Sequence, residues 1–294
     1  MKKNILRELT TKELEDLHQC LLCILRDFIW VCNKYNLEYT LGGGSVLGSV
    51  RHKGFIPWDD DLDINMPRSD YERFKKVFSK ELADEYDLRV PNSPYGSSTL
   101  FMKLLKKDTI YGQQFSYGDG EPANVWIDIF PFDNVPENKI TRTIKGFLCN
   151  IMAYAFVSRF IYEHRNQSTD EYYSTVKNGY VYKLRLLMAQ CLPVHYTKLY
   201  DFFDRFVRNS NKTSTLTCAT GRKHYLGECI DSRCFSEAED GIFEGIHVKL
   251  PYQYKTYLSR LYGEYMNIPP AEKREHHYTT GFAIDDCIKF KIEN

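Results

Sequence analysis

At 294 residues with 39 basic and 39 acidic side chains, the chain has no net charge, which removes the electrostatic case for a nucleic-acid partner. Hydrophobic residues at 43% and charged residues at 27% exclude a disordered or fibrous chain and leave room for a sizeable core, as one large domain or a catalytic core with an elaboration. Nine scattered cysteines follow an N-terminus (MKKNILRELTTKELEDL) that turns charged before any apolar run, so reduced thiols in the cytoplasm are expected.

Residues 10–36 repeat Leu14, Leu17, Leu21, Leu25 and Phe28 at helical spacing, with Thr10 or Thr11 able to cap the helix and acids in its first turn. Cys20 and Cys23 share the face of Leu17, Ile24 and Phe28 and read as buried small residues rather than a redox pair. Leu37–Leu41 reads as a short strand running into three glycines, Ser45–Arg51 as a short helix, and Trp58–Asn65 as a strand. Ser69–Lys80 is the next helix, with Ser69 as its cap and Tyr71, Phe74, Val77 and Phe78 as its stripe. Thr99–Leu105 is apolar and extended. Asn124–Phe130 alternates Val125, Ile127 and Ile129 with Trp126, Asp128 and Phe130, and is expected to stop at Pro131.

The composition shifts near residue 140. Ile144–Val157 is strongly apolar but shorter than the ~20 residues that cross a bilayer. A buried helix is its first reading and a peripheral membrane contact its second. Val181–Leu192 and Lys198–Arg208 read as further helices, Ile246–Leu250 as a strand and Tyr252–Tyr262 as a helix. The whole is expected to be α/β, a mixed sheet flanked by helices. Residues 1–139 would form the catalytic core, 140–239 a mostly helical elaboration facing the acceptor, and 240–294 a segment packing back on the core.

The chemistry concentrates in GGGSVLGSVRHKGFIPWDDDLDI (42–64), where four aspartates occupy five positions. Such carboxylates repel one another severely unless cations sit among them. Strand alternation places Asp61 and Asp63 on one face and Leu62 and Ile64 in the core, a ligand pair for hard divalent cations such as Mg²⁺ or Mn²⁺. Asp59 and Asp60 cannot both join that face, so at least one is expected to orient Arg51 or His52 or to cap the turn. Asp133 reads as a structural acceptor in a turn after Pro131. Arg51, His52 and Lys53 could meet phosphate oxygens, Arg51 best because its fork matches them; a solvated loop is the competing reading for the other two. Trp58 is expected to pack the loop, although its face suits a quaternary ammonium. The spacing of Cys218, His224, Cys229 and Cys234 matches no common zinc pattern.

Gly44-Ser45, Asp61 with Asp63, and Asp128 fall in the places of a wider pattern, the nucleotidyltransferase superfamily, in which a Gly-Ser turn meets nucleotide phosphates and three carboxylates hold metal. The insertion RHKGFIPW narrows it: GGGSVLGSVRHKGFIPWDDDLDINMPRSDYERF closely resembles the defining segment of the LicD family of phosphotransferases, which includes the fukutin-related proteins. WIDIFPFDNVP (126–136) resembles its second block, and FEGIHVKLPYQYKTYLSRLYGEYMNIPP (243–270) with His276 and His277 its C-terminal block. The resemblance implies a nucleotidyltransferase-like core, two Mg²⁺ or Mn²⁺ ions on Asp61, Asp63 and Asp128, and donor contacts from Gly43, Gly44, Ser45, Arg51, His52 and Lys103. Asp128 is either the general base or purely a ligand. The implied reaction transfers a phosphorylated alcohol, most typically phosphocholine from CDP-choline, to a hydroxyl of a surface glycan or its lipid-linked precursor at the inner membrane face, releasing CMP. Glycerol, ribitol and sugar phosphates are also implied by the wider family. Two rivals remain: a nucleotidyltransferase releasing pyrophosphate through the same aspartates, and a non-catalytic nucleotide-binding module.

Overall fold

The computed structural model describes residues 7–92, 99–113, 124–165, 170, 179–208, 211–274 and 279–284. Helix α1 (Thr11–Tyr35) opens on a capping box: the Thr10 hydroxyl accepts from the Glu13 N–H at 3.3 Å, and the Glu13 carboxylate accepts from the Thr10 N–H at 2.9 Å. Arg7 clamps the same carboxylate through two 2.6 Å bonds. One face of α1, from Leu17 through Cys20, Ile24 and Phe28, is fully buried, so Cys20 is core as its spacing suggests. Asn36 ends the helix in the left-handed region at φ 48.

The chain then forms β1 (Thr40–Leu41), α2 (Gly43–Arg51), β2 (Asp63–Pro67), α3 (Arg68–Glu81), β3 (Tyr86–Arg89), β4 (Met102–Lys106), β5 (Thr109–Gln113) and β6 (Trp126–Asn134). The central sheet runs β1-β2-β6-β4-β3, with β2 and β6 parallel and the remaining pairs antiparallel. This mixed sheet, flanked by helices, is the α/β class expected. Leu62, Ile64, Ile127 and Ile129 all point into the core beside α1.

Three expected boundaries move. The β2 ladder begins at Asp63 rather than Trp58, because pairing with β6 starts only at Asp63 opposite Asp128. Helix α3 begins after Pro67, which leaves Ser69 inside the first turn instead of capping it. Strand β6 does not stop at Pro131. The Asp128 N–H donates to the Leu62 carbonyl at 3.0 Å, so by parity the Pro131 nitrogen faces the opposite edge. On that edge β4 pairing ends at Ile129, and β7 (Thr215–Thr217) pairs only from Asp133, so the missing donor costs no ladder bond. Asp133 therefore sits in a strand rather than a turn. It is nearly fully buried and takes bonds of 2.9 and 2.7 Å from Arg68, whose remaining nitrogen reaches Asp204 at 3.0 Å.

Beyond β6 come α4 (Lys139–His164), α5 (Gly179–Gln190) and α6 (Tyr196–Val207). The Asn138 side chain caps α4 by accepting from Ile140 and Thr141 at 3.0 and 3.1 Å. A second core joins Phe156 and Phe160 of α4 to Tyr196, Tyr200 and Phe203 of α6 and to Val135. Helix α4 is longer than the apolar window in the sequence and is not buried throughout: burial is confined to one face, while Ile140, Ile144, Phe147 and Ile151 are exposed. By length and composition it could cross a membrane, although a third of its most apolar stretch is buried in this chain.

The chain returns through β8 (Ile230–Asp231), the hairpin β9 (Glu239–Phe243) and β10 (Ile246–Leu250), α7 (Tyr254–Tyr262), and β11 (Thr279–Ile284), which pairs with β5. Phe243, Val248, Tyr257 and Leu258 join the same core as α1 and the central sheet.

Candidate active site

Register builds the centre of the site. Asp63 on β2 stands opposite Asp128 on β6, and Asp128 opposite Lys103 on β4. Register partners project to the same face of a sheet, so three adjacent strands present carboxylate, carboxylate and ammonium in a row. Lys103 Nζ donates to Asp128 Oδ1 at 2.6 Å and lies 4.3 Å from the Trp126 ring centroid. A methylene stem and an aromatic face thus hold the ammonium in place.

Asp61 lies in the irregular segment before β2, yet the alternation persists: Asp61 and Asp63 face a cleft while Leu62 and Ile64 are fully buried. Carboxylate oxygens of Asp59, Asp60 and Asp61 lie within 4.8 Å of one another. Asp60 is buried and accepts from the Tyr111 hydroxyl on β5. The Asp59 carbonyl meets His18 Nε2 at 2.7 Å, and the His18 ring stacks on Phe55. Arg51 is held elsewhere: its Nε donates to His52 Nε2 at 2.9 Å, and its Nη1 to the carbonyls of Tyr265 and Asn267 at 2.7 and 3.2 Å. Arg51 is thus held by a carbonyl-and-imidazole cradle. Burial and the neighbouring Arg51 charge push the His52 pKa down, which suits a neutral ring accepting the Arg51 N–H.

The glycine turn is tied to the same carboxylate strand. The Gly42 N–H donates to the Asp63 carbonyl at 2.8 Å, and the Asp63 N–H donates to the buried Ser45 hydroxyl at 2.9 Å. Gly43 sits at φ 37, donates its N–H to the Tyr257 hydroxyl at 3.0 Å, and leaves no room for a side chain: a Cβ there would lie 2.6 Å from Asp63 Oδ2. The first turn of α2 is thereby pressed against the acids.

The cleft holds roughly 280 Å³ and is lined by Gly44, Asp59, Asp61 and Asp63 together with Arg51, Arg222 and Arg274 and the rings of Trp58, Tyr262 and Tyr265. The basic insertion is a pinned wall rather than a loose loop. The Phe55 N–H donates to Glu244 Oε1 at 3.1 Å and the Glu244 N–H to the Lys53 carbonyl at 2.8 Å. Trp58 packs the loop as expected, with the Arg274 guanidinium 4.1 Å over its ring and His52 edge-on. Of the residues expected at the site, Gly44, Arg51, Asp61 and Asp63 line the cleft; Asp128 neighbours Asp63 in the sheet and Lys103 neighbours Asp128, and Gly43, Ser45 and His52 contact the lining residues. His276 and His277 lie outside the described residues. Arg222, Tyr257, Tyr262 and Arg274 were not anticipated. The two tyrosines belong to the 243–270 block, but Arg222 follows a stretch with no motif.

Burial pushes the Asp63 pKa well up, and the charges of Asp61 and Asp128 push it further, with Lys103 opposing. Burial also raises Asp128, again against Lys103. Among the described residues, the acids gathered closely enough to hold an ion are Asp59, Asp60 and Asp61, an all-oxygen donor set that suits a hard divalent cation, while Asp128 is paired with Lys103.

The mixed sheet thus sets Asp63 and Asp128 on parallel neighbouring strands beside the Gly44-Ser45 start of α2. Residues 36–163 match the LicD/FKTN/FKRP nucleotidyltransferase domain. It is similar to the lipopolysaccharide cholinephosphotransferase LicD of Haemophilus influenzae, 28% identical over 284 residues that span 95% of this chain and 97% of that protein. It is also similar to the human ribitol 5-phosphate transferase FKRP, 26% identical over 117 residues covering 38% of this chain and 21% of that protein. An uncharacterised Rickettsia typhi protein is 39% identical over 54 residues, 18% of each chain.

Proposed function

We propose that this phosphotransferase moves phosphocholine from CDP-choline to a hydroxyl of a surface glycan or its lipid-linked precursor, releasing CMP. Asp61 and Asp63 lining a cleft with Arg51, Arg222 and Arg274, and Asp63 backed in the sheet by Asp128, is the observation that carries the reading. Asp61, Asp63 and Asp128 would hold Mg²⁺ or Mn²⁺, as two ions. Bound there, the cations would polarise the attacked phosphorus and neutralise the departing phosphate.

The chain's own residues supply the remainder. The first turn of α2 offers backbone N–H groups beside the acids, a setting that suits donor phosphate. Arg51, fixed by two carbonyls, lines the cleft together with Arg222 and Arg274, and guanidinium groups there suit the same oxygens. Lys103 favours the anionic form of Asp128 despite burial. In this reading Asp128 takes the proton from the acceptor hydroxyl as its oxygen bonds to phosphorus and the bond to CMP breaks.

The choline donor follows the name of the H. influenzae relative; ribitol phosphate transfer by the human relative makes the alcohol the part most in need of a test. Thermal melts with CDP-choline, CDP-glycerol, CDP-ribitol and CTP, each with and without Mg²⁺, separate the readings. CDP-choline is expected to give the largest Mg²⁺-dependent rise, equivalent to about 2.7 kcal/mol at one hundred times Kd. A larger rise with CDP-ribitol overturns the alcohol, and a larger rise with CTP points to the pyrophosphate-releasing rival.

A further inference from the structure

The helical part leaves an apolar surface uncovered. On α4, Ile140, Ile144, Phe147, Leu148, Ile151 and Tyr154 follow helical spacing along one face, and all are exposed, Ile140 at 73% and Phe147 at 64%. The opposite face is already occupied, with Cys149, Phe156 and Phe160 packed against α6. On α5, Tyr180, Val181, Leu184 and Leu187 form a second exposed stripe. The two helices meet where the Arg185 guanidinium lies 4.6 Å over the Tyr154 ring and Arg159 donates to the Ala189 carbonyl at 3.0 Å. Soluble monomers rarely expose a continuous apolar surface of this kind.

Its charge says what covers it. Arg142 and Lys145 lie on the core side of α4, Arg159 pairs with Glu163, and Arg185 stacks on Tyr154, so the charges exposed beside the stripes are Lys139 and Lys183, with no exposed acid among the described residues of either helix. The chain as a whole is neutral, so this face is a local cationic excess. We propose that the α4–α5 face lies on an anionic lipid bilayer, the apolar stripes entering the interface and the basic residues meeting headgroup phosphates. Pairing with a second copy would bring two cationic faces together. Spanning the bilayer would strip Phe156 and Phe160 from their core. The inference does not rest on the transfer chemistry, because bilayer binding is read without nucleotide or metal.

Flotation of the full chain with vesicles of phosphatidylcholine, with or without about 30% phosphatidylglycerol, is the test. Binding is expected to the anionic vesicles, weaker by about tenfold on phosphatidylcholine alone and weakened again by ~0.5 M NaCl. Phe147→Glu with Leu184→Glu should abolish it while circular dichroism and the melting temperature stay unchanged. Lys139→Glu with Lys183→Glu, at two exposed positions, should remove the preference for phosphatidylglycerol and serves if the first pair misfolds. Failure to float with either vesicle, or undiminished flotation of both double variants, overturns the proposal. So does a dimer in light scattering that the Phe147 and Leu184 variant dissociates.

Discussion

Asp63 is where burial and like charge act on one carboxylate, since Asp61 and Asp128 both raise its pKa in addition to desolvation. Asp63→Asn keeps the volume and removes the charge. It is expected to lower turnover by more than about a thousandfold and to raise the melting temperature in EDTA by about 2–4 °C, as relief of ~1 kcal/mol would in a chain of this size. Turnover at the wild-type rate by a folded variant would contradict the site. Gly43→Ala places a methyl 2.6 Å from Asp63 Oδ2 at φ 37 and should cost about 1–3 kcal/mol in urea unfolding, with a matching loss of kcat. The acids of this site were readable because the 2.0 period of an extended chain separates Asp61 and Asp63 from Leu62 and Ile64 without further information. Lys103 could be named but not placed, since only the β4–β6 register brings it to Asp128. Arg222 and Arg274 reach the cleft by tertiary packing of loops, which leaves no periodic trace in the chain.

At the scale of elements, α1 shows how a terminus is held. The Arg7 hydrogen bond, with the Thr10 bonds and against burial, leaves the Glu13 pKa lowered to about 2. A carboxylate whose folded pKa is depressed stabilises the fold above its ordinary value and loses that contribution as pH falls toward the folded value. Wild type should therefore lose stability between pH ~4.5 and ~2, and Glu13→Gln should reduce that slope, by no more than about 1 kcal/mol because the pair is largely solvated. Thermal melts across that range check it. Arg68 joins α3 to β6 and α6 through Asp133 and Asp204, and Arg68→Ala would strand a buried Asp133, an expected cost of about 3–5 kcal/mol in urea unfolding. Periodicity revealed α1, α3 and α6 within a few residues. It misjudged the end of β6 because the consequence of Pro131 depends on which neighbouring strand its nitrogen faces. It offered nothing for β5 with β11, whose partners lie some 170 residues apart and are matched only after folding.

Over the whole molecule, three hydrophobic clusters among the described residues lie along and just beyond β6: the first packs α1 and the central sheet, the second packs α4 and α6 with Val135, and a smaller third gathers Phe132, Leu216, Cys218, Cys234 and Phe235. The matched family domain ends inside α4, while similarity to the H. influenzae enzyme continues over nearly the full chain. The acids that would hold cation belong to the first core, and the exposed cationic face to the second. In the account proposed here, donor chemistry and approach to a membrane-borne acceptor are thus assigned to different layers of one chain. The most direct measurement follows the products formed from CDP-choline and a glycan acceptor by wild type, Asp61→Asn and Asp63→Asn, in EDTA and after addition of Mg²⁺ or Mn²⁺. CMP and phosphocholine-bearing glycan are expected from wild type only when divalent cation is present, and neither product from the two variants. Cation-independent product, product from a folded Asp61→Asn or Asp63→Asn protein, or pyrophosphate released from CTP in its place would contradict the account.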